Sequence, residues 1–258
     1  MKTNIMLLAC LLISFAAMSQ SAREISDKAA KTVEISTFEM AQTLKIIDAK
    51  GNERIQKTSS KSLKTADGTK TLMVFNAPAD VAGTSMLIYD YDVKEDDMWI
   101  YLPALRKTRR IVSTEKGQSF MGSEFTNADM GKPNPDDFNY ALLAETNVEG
   151  VACYSVEMTV KNKDVARQLG YSKKINYIDK TKFVVYKIDH YDASGKLLKT
   201  LSLSNYELID AAKKKYFARN MQMMNHQTKR KSIIVIDNIN TKTSIDEKSL
   251  SPTMLGAG

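Results

Sequence analysis

From about residue 38 onward, apolar and polar positions alternate with a period close to two, the mark of strands with one buried face. Phe38, Met40, Leu44 and Ile46 alternate with Glu39, Thr43 and Lys45, although Gln42 interrupts the apolar row. Gly51-Asn52 predicts a turn, and Glu53–Lys64 continues as a far more polar extended segment. Asp67-Gly68 is a hairpin signal leading into Thr71–Phe75, and Pro78 and Gly83 separate that strand from Ser85–Tyr91. Met98–Leu102 and Phe138–Leu143 follow, and in Val151–Val160 the residues Ala152, Tyr154, Val156, Met158 and Val160 form an unbroken apolar face. Ser172–Asp179, Phe183–Tyr191, Lys196–Leu208, Tyr216–Met224 and Ser232–Ile239 complete a meander, with Asp192–Gly195 as a hairpin loop.

Helical periodicity is confined to two short stretches. Ser21 and Glu24 have capping-box spacing ahead of an Ile25, Ala29, Val33 stripe, and Thr126–Met130 reads as a second short helix. Strands spaced by roughly 10–15 residues, without helical patterns between them, predict an antiparallel sheet and not a parallel α/β fold. About ten or eleven such strands exceed a comfortable flat sheet, so the sheet curls into a barrel, half-barrel or sandwich. One-sided alternation gives it a large apolar concave face, which is either hollow or filled by side chains.

The N-terminus predicts export. Lys2 precedes an apolar run, Ile5 to Ala17, of about 13 residues, short of the roughly 20 that span a bilayer. Ala17-Met18-Ser19 supplies small residues for cleavage, so residues 1–19 read as a signal peptide and 20–258 as one domain in the periplasm. Leu7-Leu8-Ala9-Cys10 offers a rival reading, a lipidated Cys10, although the apolar run continues past it. After cleavage near Ser19 only Cys153 remains, too few for an intramolecular disulfide.

Charge changes this picture modestly. The 258-residue chain has a net charge of +7, which favours anionic partners, and basic runs recur at Arg106–Arg110, Lys213–Lys215 and Lys229–Lys231. Such runs also simply solvate turns and exposed strand faces. No catalytic chemistry stands out. Gly117-Gln118-Ser119-Phe120-Met121-Gly122 is not a nucleophile elbow, because its second glycine falls one position late; Gly117 and Gly122 read as residues permitting unusual backbone angles. His190 and His226 lack ligand-like spacing to carboxylates and read as surface or structural residues. The acidic clusters lack the calcium-loop pattern, and no phosphate-binding or dinucleotide motif occurs. No enzyme activity, metal, cofactor or nucleic-acid partner is expected.

One stretch carries a family likeness. WIYLPALRKTRRI from Trp99, SFMGSEFTNADM ending at Met130, the earlier Phe75, Pro78 and Gly83-Thr84, and the later Cys153-Tyr154, Gly170-Tyr171-Ser172-Lys173 and Ile178-Asp179 resemble LolA-like outer-membrane lipoprotein-sorting proteins over roughly residues 70–250. The resemblance implies a curved antiparallel sheet forming an incomplete, half-open β-barrel, with a few short helices plugging an apolar concave face. It further implies a carrier of lipid or acylated lipoprotein towards the outer membrane. On position in the sequence, Trp99, Tyr101, Phe120, Met121 and Phe125 are the expected cavity mouth. Arg106, Arg109 and Arg110 are expected to meet an anionic headgroup or an inner- or outer-membrane surface. The alternative is a non-enzymatic adaptor of a membrane exporter with a packed interior.

Overall fold

The computed structural model describes residues 22–35 and 37–256. The expectations for residues 1–19, for Cys10 and for a cap at Ser21 lie outside these described residues. Fourteen strands form one antiparallel sheet: β1 Phe38–Ile47, β2 Glu53–Lys64, β3 Gly68–Ala77, β4 Ser85–Tyr91, β5 Asp97–Leu102, β6 Lys107–Ile111, β7 Phe138–Leu142, β8 Thr146–Val148, β9 Val151–Val160, β10 Lys173–Asp179, β11 Val185–Tyr191, β12 Leu197–Asp210, β13 Lys215–Asn225 and β14 Lys231–Asn240. Their order is β6-β5-β4-β3-β2-β1-β14-β13-β12-β11-β10-β9-β7, with β8 also pairing β9. The first and last strands of the sheet, β6 and β7, are consecutive in the chain and do not pair. The barrel is therefore incomplete, as the resemblance implies.

Hairpin chemistry sets much of this order. Gly68 sits at φ +153°, and a Cβ there would lie 2.1 Å from the Asp90 carbonyl oxygen on the paired strand β4, so only glycine fits. At the 192–195 loop, Asp192 Oδ1 accepts from the backbone N–H groups of Ser194 and Lys196 at 2.9 and 3.0 Å.

Two helices and one long connection close over the inner face. Helix α1 spans 22–33 and buries Ala22 and Ala29, with Ile25, against Phe138, Tyr140, Val156, Met158 and Ile178. Helix α2, Lys163–Leu169, lies between β9 and β10, where the sequence reading expected no helix. Its signals are local: Asn162 Oδ1 accepts from Asp164 N at 2.7 Å, and Gly170 ends it at φ 81°. The 112–137 connection from β6 to β7 then crosses the concave face. Its Phe120 and Phe125 join Leu44, Ile46, Phe75, Met86, Met98, Met223, Ile234 and Ile236 in the larger core. We call this connection the plug. The expected helix at Thr126–Met130 is only a 3₁₀ turn, Ala128–Met130.

A third layer covers the outer face. Leu250 and Leu255, from the segment after β14, pack on Leu87, Trp99 and Tyr101. Among the described residues no helix is long and apolar enough to cross a membrane.

Candidate functional site

The plug is held as a small loop of its own and not as a sheet strand. Phe120 N donates to Phe125 O at 2.8 Å, and Ser119 pairs with Thr126 as an isolated antiparallel bridge. Short hydroxyl side chains satisfy the carbonyls that a strand partner would otherwise take: Ser119 Oγ donates to Ser123 O at 2.6 Å and Ser123 Oγ to Phe120 O at 2.7 Å. Met121 and Gly122 both have positive φ, 50° and 81°. Gly117 does not; its role is close approach, since a Cβ would lie 2.4 Å from the Arg167 carbonyl oxygen of α2. The expectation of an unusual angle thus holds for Gly122 and is corrected for Gly117.

Under the plug, towards β6, lies a cavity of about 250 Å³ lined by Phe75, Thr84, Met86, Ile100, Arg109, Ile111 and plug residues including Gln118, Phe120 and Met121. Ligand pockets commonly run from roughly 300 to 1,000 Å³, so this one is small while the plug is seated. At its rim Arg109 Nη1 donates to Glu115 Oε2 at 2.7 Å. That bond, joined by one from the Val112 backbone, holds the Glu115 carboxyl below its usual pKa.

The expected mouth residues separate. Phe120 and Met121 line the cavity. Phe125 is packed into the core, 3% exposed, with no share in the lining. Trp99 and Tyr101 face the other way. Met98 and Ile100 point inward, so strand alternation turns Trp99 and Tyr101 outward beneath the C-terminal segment, with Trp99 edge-on to Tyr89 at 4.9 Å. The mouth placement is corrected for these three. The arginines separate for the same reason. Arg109 pairs with Ile100 across the inner face, whereas Arg110 pairs with Trp99 on the outer face and forms an ion pair with Asp97. Arg106 is an exposed residue at the end of the 103–105 turn, with φ 46°.

Two interior features escaped the sequence reading. First, the polar strand β2 faces inward with Gln56, Thr58, Ser60 and Ser62, all at most 2% exposed. Gln56 Oε1, Thr58 Oγ1 and Ser60 Oγ make no hydrogen bond among the described residues. Their polarity in the sequence suggested a solvated strand; only the alternating spacing at 56, 58, 60 and 62 hinted that one face was free of charge.

Second, a polar row crosses the inner wall at one level. Register places Lys174 opposite His190, His190 opposite Lys199, and Lys199 opposite Asn225, on β10 to β13. Lys174 and His190 are 8% and 5% exposed. Burial lowers the Lys174 ammonium to a pKa of about 8, partly offset by Asp129. Burial, then the charges of Lys174 and Lys199, lowers His190 to about 3, so the imidazole stays neutral. His190 is therefore an interior residue, and His226 meets Thr200 Oγ1 through Nε2 at 2.8 Å.

The plug is fastened at and beside this row through residues 122–124. Glu124 N donates to Ser232 Oγ at 2.9 Å, and Glu124 O accepts from Lys199 Nζ at 2.6 Å. Its carboxylate takes Asn225 Nδ2 on Oε2 at 2.7 Å and lies 3.2 Å from Arg230 Nε through Oε1. Arg230 Nη2 also donates to Gly122 O at 2.7 Å. Five polar contacts thus seat residues 122–124 on the inner wall.

These elements define a half-open antiparallel barrel in which the connection between the two edge strands is seated in the concave face. Solved structures agree. A domain described as an outer membrane lipoprotein-sorting protein from Vibrio parahaemolyticus is 28% identical, with a TM-score of 0.83 over 92% of this chain and 99% of that one. A DUF1329 family protein from Desulfovibrio piger is 25% identical, with a TM-score of 0.84 over 92% and 99%. A LolA superfamily protein from Nitrosomonas europaea shares the fold at 19% identity and a TM-score of 0.68 over 91% and 97%. The chain belongs to the family whose model, bearing the description "Uncharacterized protein", matches residues 67–256. No curated protein matches the sequence.

Proposed function

We propose that the protein is a non-enzymatic periplasmic carrier that holds the acyl chains of a lipid or lipoprotein in the concave face and delivers them towards the outer membrane. The observation that carries this reading is the plug: the concave face is covered by a connection, held by Phe120, Phe125 and a few polar contacts, and not by a strand of the sheet. Each buried methylene contributes roughly 0.8 kcal/mol, so an acyl chain needs no polar chemistry to be held. The cavity of about 250 Å³ bounded by Phe120 and Met121 is where a chain would enter, and withdrawal of the plug would extend the space along the wall. Arg106, exposed near this edge, suits contact with an anionic membrane surface. Arg109 and Arg110 contribute less, because Glu115 and Asp97 already pair with them. The signal-like N-terminus and the likeness to a lipoprotein-sorting domain support the compartment and the class of cargo.

The test is mass spectrometry of gently extracted protein, with uptake of a fluorescent fatty acid by the delipidated form. Co-purifying lipid together with uptake is the expected result. Lipid-free protein that takes up no probe would sink the carrier. It would favour an adaptor subunit of a membrane exporter, a reading that the well-filled core around Phe120 and Phe125 also supports.

A further inference from the structure

We infer that the row Lys174, His190 and Lys199, continued by Asn225 and Arg230, is a binding site for the anionic headgroup, carboxylate or phosphate, of an amphiphile held in the cradle, and that Glu124 occupies it while the plug is seated. This inference rests on the carrier reading and adds the polarity and position of the cargo.

The first ground is a buried cation whose charge is only partly compensated. Lys174 lies on the inner wall, nine-tenths buried, among Met158, Phe138 and Tyr171. The charge acting to keep its ammonium protonated is Asp129 of the plug, which offsets the burial only in part. A buried ammonium is costly where lost hydration is not fully replaced. Beside it, His190 Nδ1 is buried and has no hydrogen-bond partner among the described residues. His190 lines the space where the plug meets the wall, and Lys174 pairs with it from the neighbouring strand β10. A small cavity there, about 10 Å³, is lined by His190, Lys199, Tyr171, Thr126, Asp129 and Met223. It is too small for a headgroup until the plug moves.

The second ground is independent of Lys174. The donors that seat the plug are those an anion requires, and a carboxylate already sits on them. Glu124 Oε2 accepts from Asn225 Nδ2 at 2.7 Å, Oε1 faces Arg230 Nε at 3.2 Å, and the Glu124 carbonyl accepts from Lys199 Nζ at 2.6 Å. Glu124 is only 6% exposed, so its bonds with Asn225 and Lys199 are charge-assisted and largely shielded from water, the strong kind. Adjacent strands lie about 4.8 Å apart, so the donors from β10 to β13 span about 15 Å, enough for a headgroup to move from the Glu124 position towards Lys174. Met223 belongs both to the small cavity and to the larger apolar core. A tail attached to an anion on this row would therefore run directly into the core beneath Phe120.

The geometry makes plug and headgroup competitors for one set of donors. An anionic head over His190, between Lys174 and Lys199, gains Lys199 as the plug leaves and neutralises Lys174, while Asn225 and Arg230 lie further along the row. A neutral amphiphile must break the same contacts without replacing them.

The experiment uses the delipidated full chain. A pyrene-labelled fatty acid and the alcohol of the same chain length are titrated by fluorescence, with inorganic phosphate as competitor, in the native protein, Lys174→Met and Glu124→Gln. The expected result is that the acid binds about tenfold or more tighter than the alcohol, the scale of one charge-assisted hydrogen bond. Lys174→Met should remove most of that preference and leave alcohol binding unchanged. Glu124→Gln should tighten the acid several-fold, about the effect of weakening one charged contact of the seated plug. Phosphate should compete only at far higher concentration, because it has no tail. Equal binding of acid and alcohol, unaffected by Lys174→Met, would overturn the headgroup site and leave the carrier standing. Failure of both probes in the native protein and in Glu124→Gln would overturn both. Displacement of the acid by equimolar phosphate would mark a site for a free anion and overturn the lipid assignment.

Discussion

Lys174 shows how a single residue can place a measurable cost on the fold. Its pKa is lowered from 10.5 to about 8 by burial, so the folded state disfavours the charged form. Below pH 8 both states hold the proton and the penalty is fully present. Between pH 8 and 10.5 the folded protein loses its proton before the unfolded chain does, so stability rises with pH in that window. The groups facing Lys174 are neutral His190 on β11, Tyr171, raised by its own burial, and Asp129 from the plug. Lys174→Met should therefore be the more stable protein at pH 7, by on the order of 2–3 kcal/mol, with the gap closing towards pH 10. Denaturant titrations of both proteins at pH 7, 8.5 and 10 check this. A pH-independent difference would mean that packing, and not charge, separates them.

At the scale of elements, the plug is the segment most open to local change. Its two glycines answer different demands, and substitution should separate them. Asparagine tolerates the left-handed conformation, so Gly122→Asn, with nothing within 4 Å of its Cβ, should cost well under about 1 kcal/mol. Gly117→Asn forces a side chain against the Arg167 carbonyl and should cost about 1–3 kcal/mol, with faster hydrogen exchange in both the plug and α2. If the two variants behave alike, the contact between plug and α2 does not hold the plug down. The segment after β14 is a second removable element. Tyr89 OH donates to Leu250 O at 2.7 Å, and Leu250 is fully buried against the outer face. Ending the chain at Asn240 should uncover Trp99, the only tryptophan, and red-shift its emission. Unchanged emission would show that Trp99 does not need this segment for its burial.

For the whole molecule, the decisive fact is that the first and last strands of the sheet, β6 and β7, are joined by the plug and not by hydrogen bonds. Such a sheet can widen without breaking its ladder, which suits a cradle for flexible cargo. The alternation along β1, β4 and β9, the Asp67-Gly68 and Asp192–Gly195 turns, and the short first helix were legible from the sequence, because strand periodicity and turn chemistry are local. So was the likeness carried by Trp99–Met130. The helix after β9 was also written locally, in Asn162 and Gly170, but its seven residues, about two turns, are too few for periodicity to reveal. What only the tertiary structure decided is which face is inside and what meets there. A period of two separates Met98 and Ile100 from Trp99 and Tyr101 without saying which pair lines the cradle. The small polar residues of β2 were indistinguishable from a solvated edge until the sheet curled around them. Lys174, His190 and Lys199 lie far apart in sequence, and Glu124 further still. Their meeting depends on the register of four strands and the path of one connection, neither of which any local pattern specifies.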